Sequence, residues 1–164
     1  MYSHFRADLD DGQFDRNKIL IAQAHVESKV WYWLIPFTGG SCSVGVVTDR
    51  LSAVSDQCLE RDYRQYLSEQ HLISDLLDDG ELTRPVNSIS AYSSDISALH
   101  GERYVILGNA GEFIDPIFSS GVTIALKSSV LAAPLVLETI KFGRRPDWHE
   151  RFERPLREGV DTFK

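Results

Sequence analysis

The sequence predicts an α+β fold in which an antiparallel sheet with helices precedes a strand–loop–helix region. Three observations lead to this prediction. Residues 1–50 contain short β-branched and aromatic runs separated by turn residues, the apolar spacing then changes to steps of three and four, and a short apolar run near residue 104 leads into a glycine-containing loop. We therefore expect a sheet region at 1–93 and a strand–loop–helix region with two helices at 94–164.

The predicted sheet begins with a strand, or a lead-in to one, at 2–7. Further strands are predicted from aromatic and β-branched runs at 18–26, 31–37 and 41–48. The tripeptide Thr38-Gly39-Gly40 separates the last two of these strands and predicts a hairpin.

The next segment has the period of an amphipathic helix. Apolar and tyrosine side chains recur at three- and four-residue steps and predict one helix at 57–77. Ser55 or Asp56 can cap this helix, and the run Asp78-Asp79-Gly80 ends it. Alternation at 86–92 predicts one more strand.

The C-terminal region begins with Tyr104–Leu107, whose lack of alternation is typical of a strand buried on both faces. A loop and a helix at 121–140 follow, with Pro134 expected to kink or divide that helix. A last helix is predicted at 147–160, with Pro146 at its first turn and Pro155 disturbing it.

Composition narrows the class of protein. The chain has 164 residues, 43% of them hydrophobic, and a formal net charge of −7, which argues against nucleic acid or an anionic membrane as partner. No signal peptide or membrane span is predicted, so a reducing cytoplasm is expected. Two cysteines without a CxxC pair and five scattered histidines predict neither a disulfide framework nor a metal site.

The segment Gly108–Gly121 has the layout of a backbone-lined binding site. It leads from the apolar strand into the N-terminus of a helix, where free N–H groups and the helix dipole favour an anion or a cofactor. A purely structural interpretation remains open, in which Ser119 caps the helix and the glycines only shape a turn.

Two motifs resemble those of flavin-dependent halogenases, within the FAD-dependent monooxygenase superfamily. Phe113, Pro116, Ser119 and Gly121 match the F-x-x-P-x-x-S-x-G pattern, and Trp31, Trp33, Ile35 and Pro36 match W-x-W-x-I-P. The motifs also occur in the family's order. The resemblance implies that the chain combines a substrate-side sheet with the C-terminal part of an FAD-binding Rossmann-like domain.

The resemblance also implies roles for the residues of the loop. It assigns contacts with FAD to the following residues: Gly108, Asn109, Ala110, Pro116, Ser119, Ser120, Gly121 and Val122. Backbone at Ser120 and Gly121 is the implied halide site. Asn109 replaces the family's usual aspartate, and an amide can still bind a ribityl hydroxyl. Glu112 replaces a smaller residue, and its carboxylate would oppose the pyrophosphate unless it points to solvent.

The family chemistry implied here is oxidation of a halide by a flavin hydroperoxide, followed by halogenation of an aromatic or carrier-tethered substrate. A separate flavin reductase is a further implied partner. The substrate-side residues are Trp31, Trp33, Ile35, Pro36 and Phe113, and the tryptophans are implied to keep the substrate away from the flavin. Packing of Trp31 and Trp33 against a helix is the alternative interpretation, because alternate strand positions share a face.

The sequence contains no G-x-G-x-x-G fingerprint. The family's catalytic lysine also lies outside the matched region, and no lysine of this chain has a matching context. We therefore expect part of a larger enzyme that is inactive alone, binds FAD weakly or not at all, and can self-associate through an exposed sheet edge. Two alternatives are an FAD-dependent hydroxylase or geranylgeranyl-reductase-like flavoprotein, and a non-catalytic remnant that binds a partner or small molecule.

Overall fold

The computed structural model describes residues 1–9, 12, 14–24, 29–49, 58–90 and 96–162. The chain divides into two compact units, Met1–Ser90 and Ala91–Lys164. The predicted boundary between residues 93 and 94 falls outside the described residues.

The first unit is built on a five-stranded antiparallel sheet, as predicted for this region. Its strands are β1 (Tyr2–Arg6), β2 (Leu20–Gln23), β3 (Trp31–Pro36), β4 (Ser41–Val47) and β5 (Glu81–Leu82). Their order across the sheet is β2-β3-β4-β1-β5. The predicted hairpin between β3 and β4 is present. Gly39 and Gly40 adopt φ of 84° and 80°, a conformation that residues with a side chain rarely adopt.

The sheet has one face packed against helices. Leu34 of β3 pairs with Val44 of β4, and both are fully buried in the main core. Two helices, α1 (Leu59–Glu69) and α2 (His71–Leu76), contribute Tyr63 and Ile73 to the same core. The Tyr63 hydroxyl donates a hydrogen bond to the Val44 carbonyl at 2.8 Å, so the buried phenol is satisfied.

The prediction of one helix at 57–77 is wrong in the middle. Gln70 is extended, with φ −107° and ψ 92°, and separates α1 from α2. Its side chain accepts a hydrogen bond from the Leu72 N–H at 3.3 Å and donates one to the Gln23 carbonyl at 3.1 Å. The Gln70 side chain therefore caps the N-terminus of α2. The predicted capping residues Ser55 and Asp56 lie outside the described residues.

The predicted strand at 86–92 is also wrong where it is described. Only Asn87 bridges to β1, opposite Tyr2, and 91–95 are outside the described residues. The sheet instead gains β5, which the sequence pattern did not indicate. Two residues beside the Asp78-Asp79-Gly80 turn are too few to show an alternation.

The second unit starts with a short antiparallel hairpin of β6 (His100–Gly101) and β7 (Tyr104–Val105). The loop that follows leads into α3 (Gly121–Phe142), and a π-helical turn at His149–Glu153 continues into α4 (Arg154–Asp161). The core of this unit comprises the following residues: Leu99, Ile124, Ala132, Leu135, Phe152, Leu156 and Val160. The expected burial of Tyr104–Leu107 on both faces is wrong for this chain, since Tyr104 is 53% exposed.

Helix α3 is continuous through Pro134, so the expected division does not occur. It is apolar on nearly all sides. A narrow stripe is buried, while the opposite side exposes large hydrophobic residues: Val122, Leu126, Val130, Leu137 and Ile140. By length and composition alone α3 could cross a membrane, contrary to the sequence expectation, but a single such helix is weak evidence because core helices of soluble proteins pass the same test.

The last helix shows how the chain accommodates Pro155. A proline in the second residue of α4 lacks the N–H that would bond one turn back and its ring crowds that carbonyl. The π-helical turn immediately before α4 relieves this conflict by widening the helix locally. The predicted disturbance at Pro155 is therefore a widened turn within one helical run.

Candidate functional site

The loop after β7 is held close to α3 by its first glycine. Gly108 has φ 57°, and its N–H donates to the buried Ser128 hydroxyl at 3.0 Å. A Cβ at position 108 would lie 3.2 Å from the Ala125 side chain, tighter than an ordinary contact. Glycine is required here both for its conformation and for the close approach of loop and helix.

The second half of the loop is a tight turn that ends in a left-handed residue. The Asp115 carboxylate accepts a hydrogen bond from the Ile117 N–H at 3.2 Å. The Ser119 N–H donates to the Pro116 carbonyl at 2.8 Å, and Ser119 itself has φ 52°. A non-glycine residue in this conformation is uncommon and is often found at functional sites. The turn therefore fixes the direction in which the chain enters α3.

The N-terminus of α3 has backbone donors that its helix does not use. The first N–H groups of any helix lack an intrahelical acceptor, and here the first intrahelical bond runs from the Ile124 N–H to the Ser120 carbonyl at 2.9 Å. The structural interpretation of Ser119 as a cap is wrong. Ser120 occupies the cap position, and its side chain makes no capping hydrogen bond.

Asn109 lies beside this N-terminus. A Cβ on Gly121 would be 3.1 Å from the Asn109 side-chain oxygen, so the amide lies against the first residue of α3. Gly121 leaves the room that this approach requires. Phe113 is half-buried, whereas Pro116 and Val122 are exposed on the loop and helix. Of the loop residues named by the sequence, Gly108 and Asn109 thus lie against α3, and Ser119 and Ser120 lead into its first residue.

Glu112 does not point to solvent, and its carboxylate is ion-paired. Its side chain is 3% exposed, and a carboxylate oxygen lies 2.9 Å from Nη1 of Arg157 in α4. The guanidinium neutralises the carboxylate inside the second unit. The departure from the family pattern at this position is therefore compensated by a residue far along the chain.

Arg157 connects three parts of the second unit. Its Nη2 donates to the Ile96 carbonyl at 2.7 Å, and its Nε donates to Glu153 at 3.0 Å. Burial opposes ionisation of Glu153, but the hydrogen bond and charge of Arg157, the charge of His100 and a Leu99 N–H together hold the pKa of that carboxyl below its ordinary value. Arg157 was not predicted from the sequence. It is 45 positions from Glu112, and local sequence patterns do not indicate contacts between residues so far apart.

The tryptophan motif lies on the face of the sheet opposite the helices. Trp31, Trp33 and Ile35 alternate with the core residues Tyr32 and Leu34, so they point away from α1 and α2. The tryptophans therefore do not pack against α1 or α2, although Trp31 is buried, at 7% exposed. Packing against another helix stays an interpretation that is compatible with a substrate-side role. The two indole rings contact each other, with centroids 5.8 Å apart.

Two further residues fix the orientation of Trp33. Its Nε1–H donates to the Ser43 hydroxyl at 3.2 Å, and its ring covers Gly45, which pairs with it across β3 and β4. Any side chain at position 45 would overlap the indole. Ser43 and Gly45 were not predicted from the sequence. Counting outward from the Thr38-Gly39-Gly40 turn would have paired both of them with residues of β3.

Known proteins resemble this chain in sequence and in fold. No protein-family model matches the chain. A 1H-pyrrole-2-carbonyl-[peptidyl-carrier protein] chlorinase of Pseudomonas fluorescens is 33% identical over 140 residues, which cover 83% of this chain and 31% of the relative. The flavin-dependent halogenase CmlS has a TM-score of 0.84 at 27% identity, covering 99% of this chain and 30% of that one. A flavoprotein/dehydrogenase of Cytophaga hutchinsonii has a TM-score of 0.81 at 30% identity, covering 99% and 39%.

The fold is therefore that of part of a flavin-dependent enzyme. By sequence and structure the chain belongs to the flavin-dependent halogenases, whose cofactor is FAD. It spans about a third of the length of the Pseudomonas relative. The predicted α+β fold class is confirmed.

Proposed function

We propose that the chain supplies the second FAD-binding segment and the substrate-side sheet of a flavin-dependent halogenase. The observation that carries this proposal is the N-terminus of α3, where a left-handed Ser119, a buried Ser120 and the Asn109 amide meet beside unused backbone donors. The two motifs lie in different units of the structure, so each unit has its own part of the proposed role.

The residues around α3 fit a flavin. Backbone N–H groups at Gly121 and Val122 would donate to electronegative atoms of the isoalloxazine, and the helix dipole favours negative charge there. The Asn109 amide would bind a ribityl hydroxyl, since it can both donate and accept. When bound, FAD supplies the oxidising chemistry. The protein supplies the hydrogen-bond donors.

A halide site is proposed at the backbone of Ser120 and Gly121. A halide ion accepts hydrogen bonds from N–H groups, and a helix N-terminus places several donors together with favourable partial charge. Ser120 is 4% exposed, so an anion beside it would be largely desolvated. Weak hydration makes chloride and bromide suitable ligands for such a position.

The sheet is proposed to form the substrate side. The partly exposed Trp33 presents its ring on the face opposite the core, in contact with the buried Trp31, and Ile35 and Pro36 extend that surface along β3. A flat aromatic substrate or an aromatic acyl group on a carrier would gain contact area there. The Pseudomonas relative is named as acting on a carrier-bound substrate, which supports the second of these classes.

Titration of the ¹⁵N-labelled chain with FAD tests the flavin proposal. We expect weak binding without stoichiometric flavin absorbance, with chemical-shift changes concentrated at the backbone of 108–122. Gly121→Val should abolish these changes, whereas Gly159→Ala in α4, where a Cβ meets nothing within 4 Å, should leave them intact. Shifts spread elsewhere, or equal binding by the Val variant, would contradict the proposal.

A hydroxylase or reductase is the second candidate, because the Cytophaga neighbour is described as a flavoprotein/dehydrogenase. Titration with bromide at constant ionic strength separates the candidates. A halogenase-type site predicts saturable shifts at Ser120 and Gly121 that an equal concentration of sulfate does not produce. Identical responses to both anions would favour the second candidate.

A further inference from the structure

We infer that His100, His149 and Glu153 form a binding site for a divalent transition-metal ion such as Zn²⁺. His100 Nε2 lies 3.2 Å from the Glu153 Oε2 oxygen, and His149 Nδ1 lies 3.7 Å from the same oxygen. One ligand atom from each side chain lies within 4.8 Å of the other two. The site is independent of the flavin proposal, because none of these residues belongs to the loop or the tryptophan motif.

The spacing suits a metal of zinc size. Bonds of about 2.0–2.1 Å in a tetrahedral arrangement place ligand atoms about 3.4 Å apart. The two ion-pair distances to Glu153, 3.2 and 3.7 Å, lie on either side of that value. Two imidazole nitrogens and one carboxylate oxygen are ligands that zinc, cobalt and nickel accept, and a fourth position stays open to water.

The fold orients His100 and Glu153 without a metal and places His149 beside them. His149 and Glu153 are the first and last residues of the π-helical turn, so both point from one side of it. His100 is on β6 and its ring stacks on Trp148, with centroids 6.2 Å apart and planes at 26°. Phe152 contacts the edge of Trp148 at 5.9 Å. A metal would therefore connect the β6–β7 hairpin to the C-terminal helix.

The charges around the site favour a cation. Glu153 is 9% exposed, and its other oxygen accepts from Arg157, which fixes the carboxylate as outer partners of metal ligands do. The charge of Arg157 is offset by its second partner, Glu112. Across the surrounding ion pairs, carboxylates outnumber guanidinium groups: Glu112, Glu150, Glu153 and Glu158 against Arg154 and Arg157.

The sequence predicted no metal site because no two histidines have ligand spacing. Only folding brings His100 to the other two residues, 49 positions or more along the chain. The competing explanation is a metal-free cluster in which protonated histidines pair with Glu153. The first explanation requires that the chain binds a metal ion at this site, and the second does not. A measurement of metal binding therefore distinguishes them.

Cobalt(II) binding to the full chain at neutral pH is the test. We expect one saturable site per chain, visible absorption bands of a four- or five-coordinate ion, and no thiolate charge-transfer band, since neither cysteine belongs to the site. Zinc should displace cobalt and raise the melting temperature.

Two histidine variants provide the comparison. His149→Ala removes an exposed ligand and should weaken cobalt binding roughly tenfold or more, as loss of a metal contact does. His71→Ala removes an exposed histidine of α2 in the other unit and should leave binding unchanged. Equal affinity in His149→Ala and the unaltered chain, or no saturable binding of either metal, would overturn the inference.

Discussion

At the residue scale, Arg157 pairs with two buried carboxylates of the second unit. A single guanidinium, 29% exposed, satisfies Glu112 at 3% and Glu153 at 12% side-chain exposure. Removing one partner of a buried pair leaves the other charge without compensation. Glu112 lies in the loop before α3, so its ion pair with Arg157 connects that loop to α4.

Replacing Arg157 with alanine should therefore destabilise the chain. We expect a loss of about 3 kcal/mol in the free energy of unfolding, measured by urea denaturation, because two buried carboxylates lose the guanidinium that both of them contact. Arg154→Ala is the matched control, since its pairs with Glu150 and Glu158 are solvent-exposed. Its effect should be far smaller. Equal effects of the two variants would show that Arg157 is no more than a surface charge.

Glu153 predicts a pH dependence. Its folded-state pKa lies below the ordinary value of 4.5, so the unfolded chain takes up its proton more readily as the pH falls. The stability from Glu153 is complete above pH 4.5 and is lost as the pH falls through the folded pKa. Urea midpoints measured from pH 7 to pH 3, with EDTA present, should fall less steeply for Glu153→Gln than for the unaltered chain. Parallel curves would contradict this assignment.

At the element scale, the β3–β4 pair decides what the tryptophan motif can do. Its register places Trp33 opposite Gly45 and sets Leu34 opposite Val44 on the other face. A shift of one residue would exchange the aromatic face for the core face. The hairpin glycines hold this register, because both adopt a conformation that other residues reach only with strain.

Gly45→Ala should displace the Trp33 indole. The new methyl group would overlap the ring, so the hydrogen bond from Trp33 to Ser43 should break and stability should fall. Tryptophan fluorescence and thermal melting would report the two effects. Gly159→Ala is the control. Gly159 is an exposed glycine of α4 with free space for a Cβ, so this change should raise the free energy of unfolding by about 0.5–1 kcal/mol through helix propensity. An unchanged Trp33 environment in Gly45→Ala would contradict the packing described here.

At the scale of the whole chain, the surface of α3 is the most unusual feature. Leu126 and Val130 are 64% and 70% exposed, one turn apart on a helix that is apolar on nearly all sides. Large exposed apolar patches are rare on monomeric soluble proteins and mark surfaces that another chain covers.

The isolated chain should therefore self-associate through the exposed apolar side of α3. Val130→Glu should shift the sedimentation-velocity distribution towards the monomer, because burying a glutamate between apolar faces is costly. Ser129→Glu introduces the same charge at the adjacent exposed position and should have a smaller effect. A chain that is already monomeric at high concentration would contradict the expectation.

The sequence by itself determined the class of fold, the hairpin, and the two motifs that identify the family. These follow from local signals: period-two and period-3.6 patterns, paired glycines, and fixed spacings of aromatic, proline and serine residues. It could not find Arg157 as the partner of Glu112, the break at Gln70, or the cluster of His100 with Glu153, because each depends on residues far apart in the chain. Tertiary structure also decided which face of β3 meets the helices, since alternation shows that two faces exist but not which of them is covered.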